Sequence, residues 1–275
     1  MKIGIDLGGT NVRVALVGDN GIINITKEPC KSDKSVKETT NHIIELIRRV
    51  ITAEVTGIGI GVPSAVDPEK GIVYNVINIP SWKEVHLKEI IETAFYLPTY
   101  VNNDANCFVL GEQRYGAAKS ARNVVGIAAG TGLGSGIIIN NELYAGTNTC
   151  AGEIGCISYL DRTYEEYCSS SYFIREHNTT GVEAFGAGKK GDKTALKIWD
   201  DFGIHMGNLI QTVLFAYDPE VIVFGGSIAH AFELFEPSMR RNLQGFLFPN
   251  IVNKLKIEVS RTTDVGILGA ASLVK

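Results

Sequence analysis

An apolar strand that runs directly into a glycine–threonine turn occurs twice in this sequence. The first copy, "IGIDLGGT", spans residues 3–10, and the second, "VGIAAGTG", spans residues 125–132. Each copy is followed by two more segments with the alternation of β-strands, separated by short polar turns. The copies start about 120 residues apart, whereas solenoid repeats have periods of roughly 20–50 residues. The duplication therefore predicts two related units, each built around a sheet.

The segments between and after the two copies have the patterns of an α/β fold. Apolar residues at helical spacing predict helices over residues 34–50, in "HLKEIIETAF" and in "DKTALKIWDDFGIHMGNLIQTVLFAY". "PTYVNNDAN" predicts a strand that ends where a helix begins, and "DPEVIVFGGS" predicts a strand that ends in glycines. We place the boundary between an N-terminal and a C-terminal lobe at residues 105/106. The second lobe then spans 106–263, and a helix at 264–275 packs back on the first.

Charge and cysteine content narrow the classes of function. A net charge of −4 and the absence of any block of like charges argue against a surface for nucleic acid or anionic membrane. The first residues already have a strand pattern, so we expect no signal peptide, and no apolar run has the length of a membrane helix. Five cysteines without CxxC spacing indicate free thiols and a cytoplasmic protein.

Three glycine-rich turns, each at the exit of a strand, are candidates for phosphate binding. They are "DLGGTN" (6–11), "GTGLGSG" (130–136) and "FGGS" (224–227). Glycine allows a ligand to approach the backbone, whose successive N–H groups can form an anion cradle. Any one of these turns could be a simple hairpin that needs a positive φ. Three together, two of them in parallel copies, favour phosphate binding.

Other nucleotide-binding motifs do not fit the sequence. The P-loop pattern is absent, and the one G-x-G-x-x-G match, at Gly186, Gly188 and Gly191, has no strand before it. We interpret that match as a surface loop. The five histidines have no ligand-like spacing, so a catalytic metal site built on histidine is not expected.

Four acidic residues are candidates for chemistry, and each has a structural alternative. Asp6 ends an apolar strand beside the first glycine turn, where it could meet Mg²⁺ or cap its own turn. Asp104 begins a predicted helix, where it could be an N-cap or a general base. Glu153, and Glu165 or its neighbour Glu166 in "YEEY", could accept hydrogen bonds from sugar hydroxyls, although isolated carboxylates are usually solvated.

Seven segments, taken in their order and spacing, resemble the ROK family of sugar kinases and repressors. They are "GIDLGGTNVRVALV", "GIGIGVPSAVDPEKGIV", "NVINIPSW", "VNNDANC", "GTGLGSGIIINNELYAG", "AGEIG" and "DPEVIVFGGS". The resemblance covers essentially the whole chain. It implies the two-lobed, ribonuclease H-like α/β fold of actin, Hsp70 and hexokinases, each lobe a mixed sheet flanked by helices. It also implies ATP and Mg²⁺ as cofactors and a homodimer.

The resemblance assigns roles to individual positions. The nucleotide positions are Asp6, Gly8, Gly9, Thr10, Asn11, Gly130, Thr131, Gly132, Gly225, Gly226 and Ser227, with Asp6 meeting Mg²⁺ through water. The sugar positions are Ser64, Asn78, Asn103, Asp104, Glu153, Cys156 and Glu165. Asp104 takes the position of the general base that removes a proton from the sugar 6-hydroxyl.

The sequence departs from the family pattern around the sugar positions. Cys156 replaces a histidine that contacts the sugar and ligates a structural zinc, and "SYLDRTYEEYCSS" replaces the zinc segment "CxCGxxGCLE". Ser64 stands where glycine is common. We therefore expect no zinc site and an ATP-dependent hexose kinase, with glucose favoured over fructose, an N-acylated hexosamine or a β-glucoside. The alternatives of another class are an inactive sugar-binding protein and a sugar-responsive regulator.

Both alternatives are disfavoured: the intact Asp6, glycine-threonine turns and Asp104 argue against an inactive protein, and two observations argue against the regulator. Regulators of the family carry a helix-turn-helix segment before the first glycine-turn strand, which here starts at the third residue of the sequence. The acidic net charge is also unfavourable for binding DNA. The partner expected from the sequence is a small sugar, with neither nucleic acid nor membrane.

Overall fold

The computed structural model describes residues 1–147 and 149–275. Its strands are β1 (Lys2–Leu7), β2 (Asn11–Gly18), β3 (Gly21–Pro29), β4 (Ile58–Val62), β5 (Ala65–Asp67), β6 (Ile72–Tyr74), β7 (Glu84–His86), β8 (Thr99–Asn103), β9 (Val124–Ala129), β10 (Leu133–Ile139), β11 (Glu142–Leu143), β12 (Ser158–Tyr159), β13 (Arg162–Thr163), β14 (Val221–Gly225) and β15 (Lys256–Val259). Its helices are α1 (Val36–Val50), α2 (Leu87–Phe95), α3 (Asp104–Tyr115), α4 (Tyr164–Cys168), α5 (Ser170–His177), α6 (Gly181–Lys189), α7 (Lys193–Tyr217), α8 (Phe232–Leu243), α9 (Pro249–Lys254) and α10 (Val265–Ser272).

Two five-stranded sheets with corresponding strand orders form the framework. The orders are β3-β2-β1-β4-β8 and β11-β10-β9-β14-β15. In each sheet the strand before the glycine turn pairs antiparallel with the strand after it and parallel with a later strand. The internal duplication predicted from the sequence is thus confirmed at the level of strand order and direction.

The first compact unit comprises residues 1–120, 143–151 and 261–275. Its core contains the apolar side chains of β1, β2 and β4 together with the buried face of α1. The small residues of α10 let this helix pack against β1, β4 and α3, and a Cβ on Gly269 would overlap the carbonyl oxygen of Cys107. The boundary predicted at residue 105 lies at the start of α3, whereas the compact unit includes this helix.

The second compact unit comprises residues 121–142 and 152–260. Its core is rich in aromatic side chains, among them Phe173, Trp199, Phe202 and Phe235. The long helix predicted from its amphipathic pattern is present as α7 and packs against α8. None of the described helices combines the length and the apolar character that a membrane crossing requires.

The prediction of a surface loop at Gly186 and Gly188 was wrong, because both residues lie in α6. Thr180 and Glu183 form a capping box that starts this helix, which satisfies N–H groups that would otherwise lack partners. Gly188 is buried, and a Cβ there would lie 3.0 Å from a methyl carbon of Leu234. Glycine normally disfavours helices, but at position 188 it permits this close packing.

Candidate active site

The first glycine turn joins β1 to β2 in the first unit. The N–H group of Gly8 donates to the carbonyl oxygen of Asn11 over 2.9 Å, which closes the turn. A Cβ on Gly9 would overlap the Cβ of Asn78. The structure thus brings a candidate nucleotide turn and a candidate sugar-binding residue into direct contact. Thr10 at the tip of the turn is exposed, so its hydroxyl is accessible to a ligand.

Asp6 lies near the end of β1 and is bound by an arginine. Arg13 is its antiparallel cross-strand neighbour in β2, and the guanidinium forms an ion pair with the Asp6 carboxylate. The same guanidinium donates to Oδ1 of Asp264 over 2.6 Å. Asp264 immediately precedes α10 and has a left-handed backbone conformation. Asp6 is therefore held in place by a cation that links β1 to the start of the C-terminal helix.

Asp104 is the first residue of α3, and its neighbour Asn103 is the N-cap. The side chain of Asn103 accepts a hydrogen bond of 2.8 Å from the N–H of Ala105 and also donates to the carbonyl oxygen of Ser64 over 3.3 Å. Oδ1 of Asp104 accepts from the same N–H over 2.8 Å. Asp104 is exposed, whereas Asn103 is half-buried. The capping function is thus performed by Asn103 with a contribution from Asp104.

Parallel strands gather these polar residues at one edge of the first sheet. In the parallel register Asp6 of β1 lies beside Gly61 of β4, and Val62 of β4 lies beside Asn103 of β8. The carboxyl ends of neighbouring parallel strands are where α/β sheets bind ligands. Burial raises the pKa of the Cys107 thiol, and the charges of Asp104 and Asp6 raise it further. Both carboxylates therefore lie near enough to the buried Cys107 thiol to raise its pKa.

The second and third glycine turns lie side by side in the second unit. Strands β9 and β14 are parallel neighbours, with Gly225 beside Ala128. Gly226 has a φ of +81°, and a Cβ there would overlap the carbonyl oxygen of Ala129, so glycine is required for both reasons. A Cβ on Gly130 would lie 3.4 Å from Oγ of Ser227. Thr131, Gly226 and Ser227 are exposed, which leaves this edge accessible to a ligand.

Glu165 and Glu153, the two candidate sugar-binding glutamates, both lie in the second unit. Oε2 of Glu165 accepts a hydrogen bond of 2.9 Å from the N–H of Leu133, directly after the second glycine turn. Burial raises the pKa of Glu153, and the negative charge of Glu165 raises it further. Cys156 ends a 3₁₀ helix (Ile154–Cys156) that begins after Glu153, and its N–H donates to the carbonyl oxygen of Glu153 over 3.1 Å. This 3₁₀ segment and α4 thus present two carboxylates and an exposed thiol.

The described residues offer little for a metal ion other than Asp6. Among residues 1–147 and 149–275, no three His, Cys, Asp or Glu side chains gather closely enough to hold a metal. Burial raises the pKa of Cys168 well above that of an ordinary thiol, which disfavours the thiolate that zinc binding needs. The absence of a zinc site stays a prediction.

Sequence reasoning missed Arg13, which pairs with Asp6, and Asp264, which binds the same guanidinium. Arg13 stands out in the sequence as a charge on an otherwise apolar strand, but its partner follows only from the strand register. Asp264 is distant in sequence from both residues, and the sequence indicates only that a helix begins there. No signal in the sequence links it to Asp6.

Comparisons with known proteins bear on the whole chain. Residues 2–275 match the ROK family. The chain is 29% identical to the glucokinase of Thermotoga maritima, covering 99% of this chain and 96% of that protein. It is 26% identical to the xylose repressor of Bacillus spizizenii, covering 99% of this chain and 76% of the repressor.

A solved structure matches in fold as well. It is the ROK family glucokinase from Streptomyces griseus in complex with glucose and AMPPNP, with a TM-score of 0.81 and 25% sequence identity. The match covers 99% of this chain and 98% of that one. The actin- and hexokinase-like fold class expected from the sequence is confirmed by this match.

Proposed function

Because this chain belongs to the ROK family, we propose that it is an ATP-dependent sugar kinase that phosphorylates a hexose, with glucose favoured, at the 6-hydroxyl. The observation that carries the proposal is the common sheet edge at which Asp6, Asn103 and Asp104 lie. The similarity to a glucokinase and to a glucokinase structure with glucose and AMPPNP supports the same reaction.

In this proposal the glycine turns bind the nucleotide. The first turn, residues 6–11, and the second, residues 130–132, contact the phosphates through backbone N–H groups and the hydroxyls of Thr10 and Thr131. Gly225, Gly226 and Ser227 contact the nucleoside. The exposure of Thr10, Thr131 and Gly226 supports these roles, because a ligand can then reach these residues.

Mg²⁺ is the proposed metal, with Asp6 as the protein residue nearest to it. Asp6 is a single carboxylate already paired with Arg13, which suits contact with the waters of a magnesium ion rather than a dedicated set of protein ligands. The bound ion would neutralise phosphate charge during transfer. Arg13 would keep the Asp6 carboxylate oriented toward the waters bound to that ion.

The proposed chemistry at Asp104 is general-base catalysis. The carboxylate accepts the proton of the sugar 6-hydroxyl as that oxygen attacks the γ-phosphorus and the bond to the ADP oxygen breaks. Such proton transfer contributes roughly 10²–10⁴-fold to a rate. The exposure of Asp104 and the capping of α3 by Asn103 support this role, because the helix does not depend on Asp104 alone.

The proposed sugar contacts are the positions that the family resemblance assigns. They are Ser64, Asn78, Asn103, Glu153, Cys156 and Glu165. Carboxylates and amides hold hydroxyl groups well because each can take part in two hydrogen bonds. Cys156 is a weak hydrogen-bond donor, so the edge of the sugar beside it would be held less firmly than by a histidine.

The experiment that tests the proposal is a coupled ADP-release assay with MgATP across a panel of sugars. The panel contains glucose, fructose, N-acetylmannosamine, N-acetylglucosamine and a β-glucoside. We expect sugar-dependent ADP formation with at least one hexose, and the highest kcat/KM with glucose. Absence of turnover with every member of the panel would overturn the proposal.

A sugar-responsive regulator is the second candidate function. The similarity to a xylose repressor favours it, and the match covers 76% of the length of that repressor. A gel-shift experiment with DNA from the neighbourhood of the gene, with and without sugar, distinguishes the two candidates. A cytoplasmic location and a homodimer stay predictions, and light scattering of the purified protein tests the second.

A further inference from the structure

The short helix α4 carries Glu165 but lacks the length to hold its own position. It has five residues, Tyr164–Cys168, and among the described residues Thr163 at its N-terminus makes no side-chain capping hydrogen bond. Helices much shorter than about 12 residues are marginal in water unless tertiary contacts stabilise them. The direction in which Glu165 projects is therefore determined by what its helical neighbours contact.

Tyr164, the residue before Glu165, is fixed to the long helix α7. Its side chain is buried, and its hydroxyl oxygen lies 2.7 Å from Oγ1 of Thr212 and 3.2 Å from the carbonyl oxygen of Asn208. Its ring stacks on that of Tyr159, with centroids 4.3 Å apart and planes inclined by 13°. Tyr164 therefore joins α4 to α7 on one side and to strand β12 on the other.

Tyr159 connects the strand pair β12–β13 to α7 as well. Its hydroxyl lies 3.1 Å from Nδ1 of His205 and accepts a hydrogen bond of 3.0 Å from Nδ2 of Asn208. Burial raises the pKa of Tyr159 to about 12, so the phenol stays neutral at physiological pH. The residues before α4 are thus held by the same face of α7 that holds Tyr164.

Tyr167 restrains the other end of α4. Its hydroxyl donates to the carboxylate of Asp161, and the guanidinium of Arg175 lies 4.4 Å from its ring centroid. Its ring meets the Tyr159 ring edge-on at 5.4 Å. Tyr159, Tyr164 and Tyr167 together form what we call the aromatic clamp.

The carboxylate end of Glu165 is also restrained. It accepts the hydrogen bond from the N–H of Leu133, and a Cβ on Gly132 would lie 2.8 Å from its Oε2. A side chain anchored at its backbone by the aromatic clamp and at its tip by β10 has little freedom. Such restraint is what a binding group needs if its geometry is to be preformed for a ligand.

We propose that the aromatic clamp, and Tyr164 in particular, positions Glu165 for sugar recognition. This inference rests on the proposed function, because it assumes that Glu165 receives sugar hydroxyls. Tyr164 acts through Glu165 and makes no contact with the sugar itself. Sugar affinity should then depend on a hydroxyl group that lies in the packing between α4 and α7.

The test is Tyr164→Phe, which removes the hydroxyl and keeps the ring stack. The matched control is Tyr172→Phe, which removes a buried hydroxyl that lies 3.1 Å from Nε2 of His177 in α5. Loss of one such hydrogen bond should raise the dissociation constant of the sugar about five- to tenfold in Tyr164→Phe, measured by calorimetry with the best sugar of the panel. In Tyr164→Phe, the dissociation constant of AMPPNP should stay within about twofold of wild type. In the control Tyr172→Phe, the dissociation constant of the sugar should also stay within about twofold.

A double-mutant cycle separates positioning from general destabilisation. If Tyr164 acts through Glu165, Tyr164→Phe should weaken sugar binding by less than about twofold in a Glu165→Gln background. Thr212→Val removes one of the two hydrogen-bond partners of the Tyr164 hydroxyl, and it should weaken sugar binding in the same direction as Tyr164→Phe. This variant also keeps the test decisive if Tyr164→Phe proves unstable.

The outcomes distinguish this inference from the proposed function. Wild-type protein that binds no sugar of the panel would overturn both. Wild-type protein that binds sugar, with unchanged affinity in Tyr164→Phe and Thr212→Val, would overturn the positioning role alone. If Tyr164→Phe weakens sugar binding by the same factor in the Glu165→Gln background as in wild type, the positioning role is overturned too, because the effect then does not pass through Glu165.

Discussion

The guanidinium of Arg13 pairs with the carboxylate of Asp6 directly across strands β2 and β1, and it also hydrogen-bonds Asp264 before α10. One cation therefore compensates two partly buried carboxylates. The arrangement ties the proposed metal-facing residue to the C-terminal helix, so the geometry at the first glycine turn depends on residues 251 positions apart in the chain.

Replacement of Arg13 by glutamine should destabilise the protein clearly. It removes two hydrogen bonds to charged groups, each worth about 1.5–3 kcal/mol, and leaves Asp6 and Asp264 without their shared cation. We expect a loss of at least about 1.5 kcal/mol in the free energy of unfolding, measured in urea. The control Lys197→Gln breaks an exposed pair with Asp201 and should cost less than about 0.5 kcal/mol. Equal losses in the two variants would contradict a structural role for the Arg13 link.

Gly9→Ala tests the contact between the first glycine turn and Asn78. The added methyl group overlaps the Asn78 side chain, and such overpacking costs about 1–3 kcal/mol. We expect kcat/KM for the sugar to fall by about tenfold or more, because both the turn and Asn78 must move. Gly186→Ala is the control, since a Cβ there meets nothing within 4 Å. It should stabilise α6 by roughly 0.5–1 kcal/mol and leave the kinetics unchanged, and a destabilised Gly186→Ala would contradict the helical assignment.

Glu153→Gln should increase stability at neutral pH while it weakens sugar binding. Burial and the charge of Glu165 raise the pKa of Glu153 above that of an unfolded glutamate, so folding takes up a proton and the ionised form is disfavoured. Below about pH 4.3, the value for an unfolded glutamate, Glu153 costs the wild type no free energy of folding. As the pH rises through the raised pKa, its ionisation destabilises the folded state. Melting temperatures should therefore differ most at pH 7 and converge near pH 4. A constant difference between pH 4 and 7 would contradict this account.

The contribution of His205 to stability should depend on pH in the opposite direction. Burial lowers its pKa, although Asp201 and Glu176 partly oppose the shift, so the folded state favours the neutral ring that lies beside Tyr159. The contribution of His205 to stability is present above about pH 6.5, the unfolded value, and is lost as pH falls through the lowered pKa. Melting of wild type and His205→Gln between pH 7.5 and 5 measures it. The wild-type curve should fall more steeply, and parallel curves would count against the burial argument.

The sequence predicted the elements whose signal is local. The paired glycine turns, the helical period of α7 and the helix expected at 264–275 rest on local patterns, and all three are present. The surface loop expected at Gly186 and Gly188 was wrong, although a local signal for a helix is present in the capping box of Thr180 and Glu183.

The parts of the candidate site that could not be predicted depend on partners far apart in the chain. The Arg13–Asp264 contact requires strand register and the return of the C-terminal helix. The aromatic clamp requires α7 to present Asn208, Thr212 and His205 to α4, about 40–50 positions earlier in the sequence. Distances of this kind follow from packing, which periodicity and motif spacing do not encode.

The most direct test of the central claim is the effect of Asp104→Asn on sugar-dependent ADP release, with Asn103→Ala as the control for helix capping. The asparagine at position 104 has nearly the same shape and can still accept from the N–H of Ala105, so stability and sugar binding by calorimetry should be retained. Asn103→Ala should instead lose about 1 kcal/mol of stability. We predict that kcat of Asp104→Asn falls at least about 10²-fold. A variant that keeps wild-type kcat would contradict the assignment of Asp104 as the base.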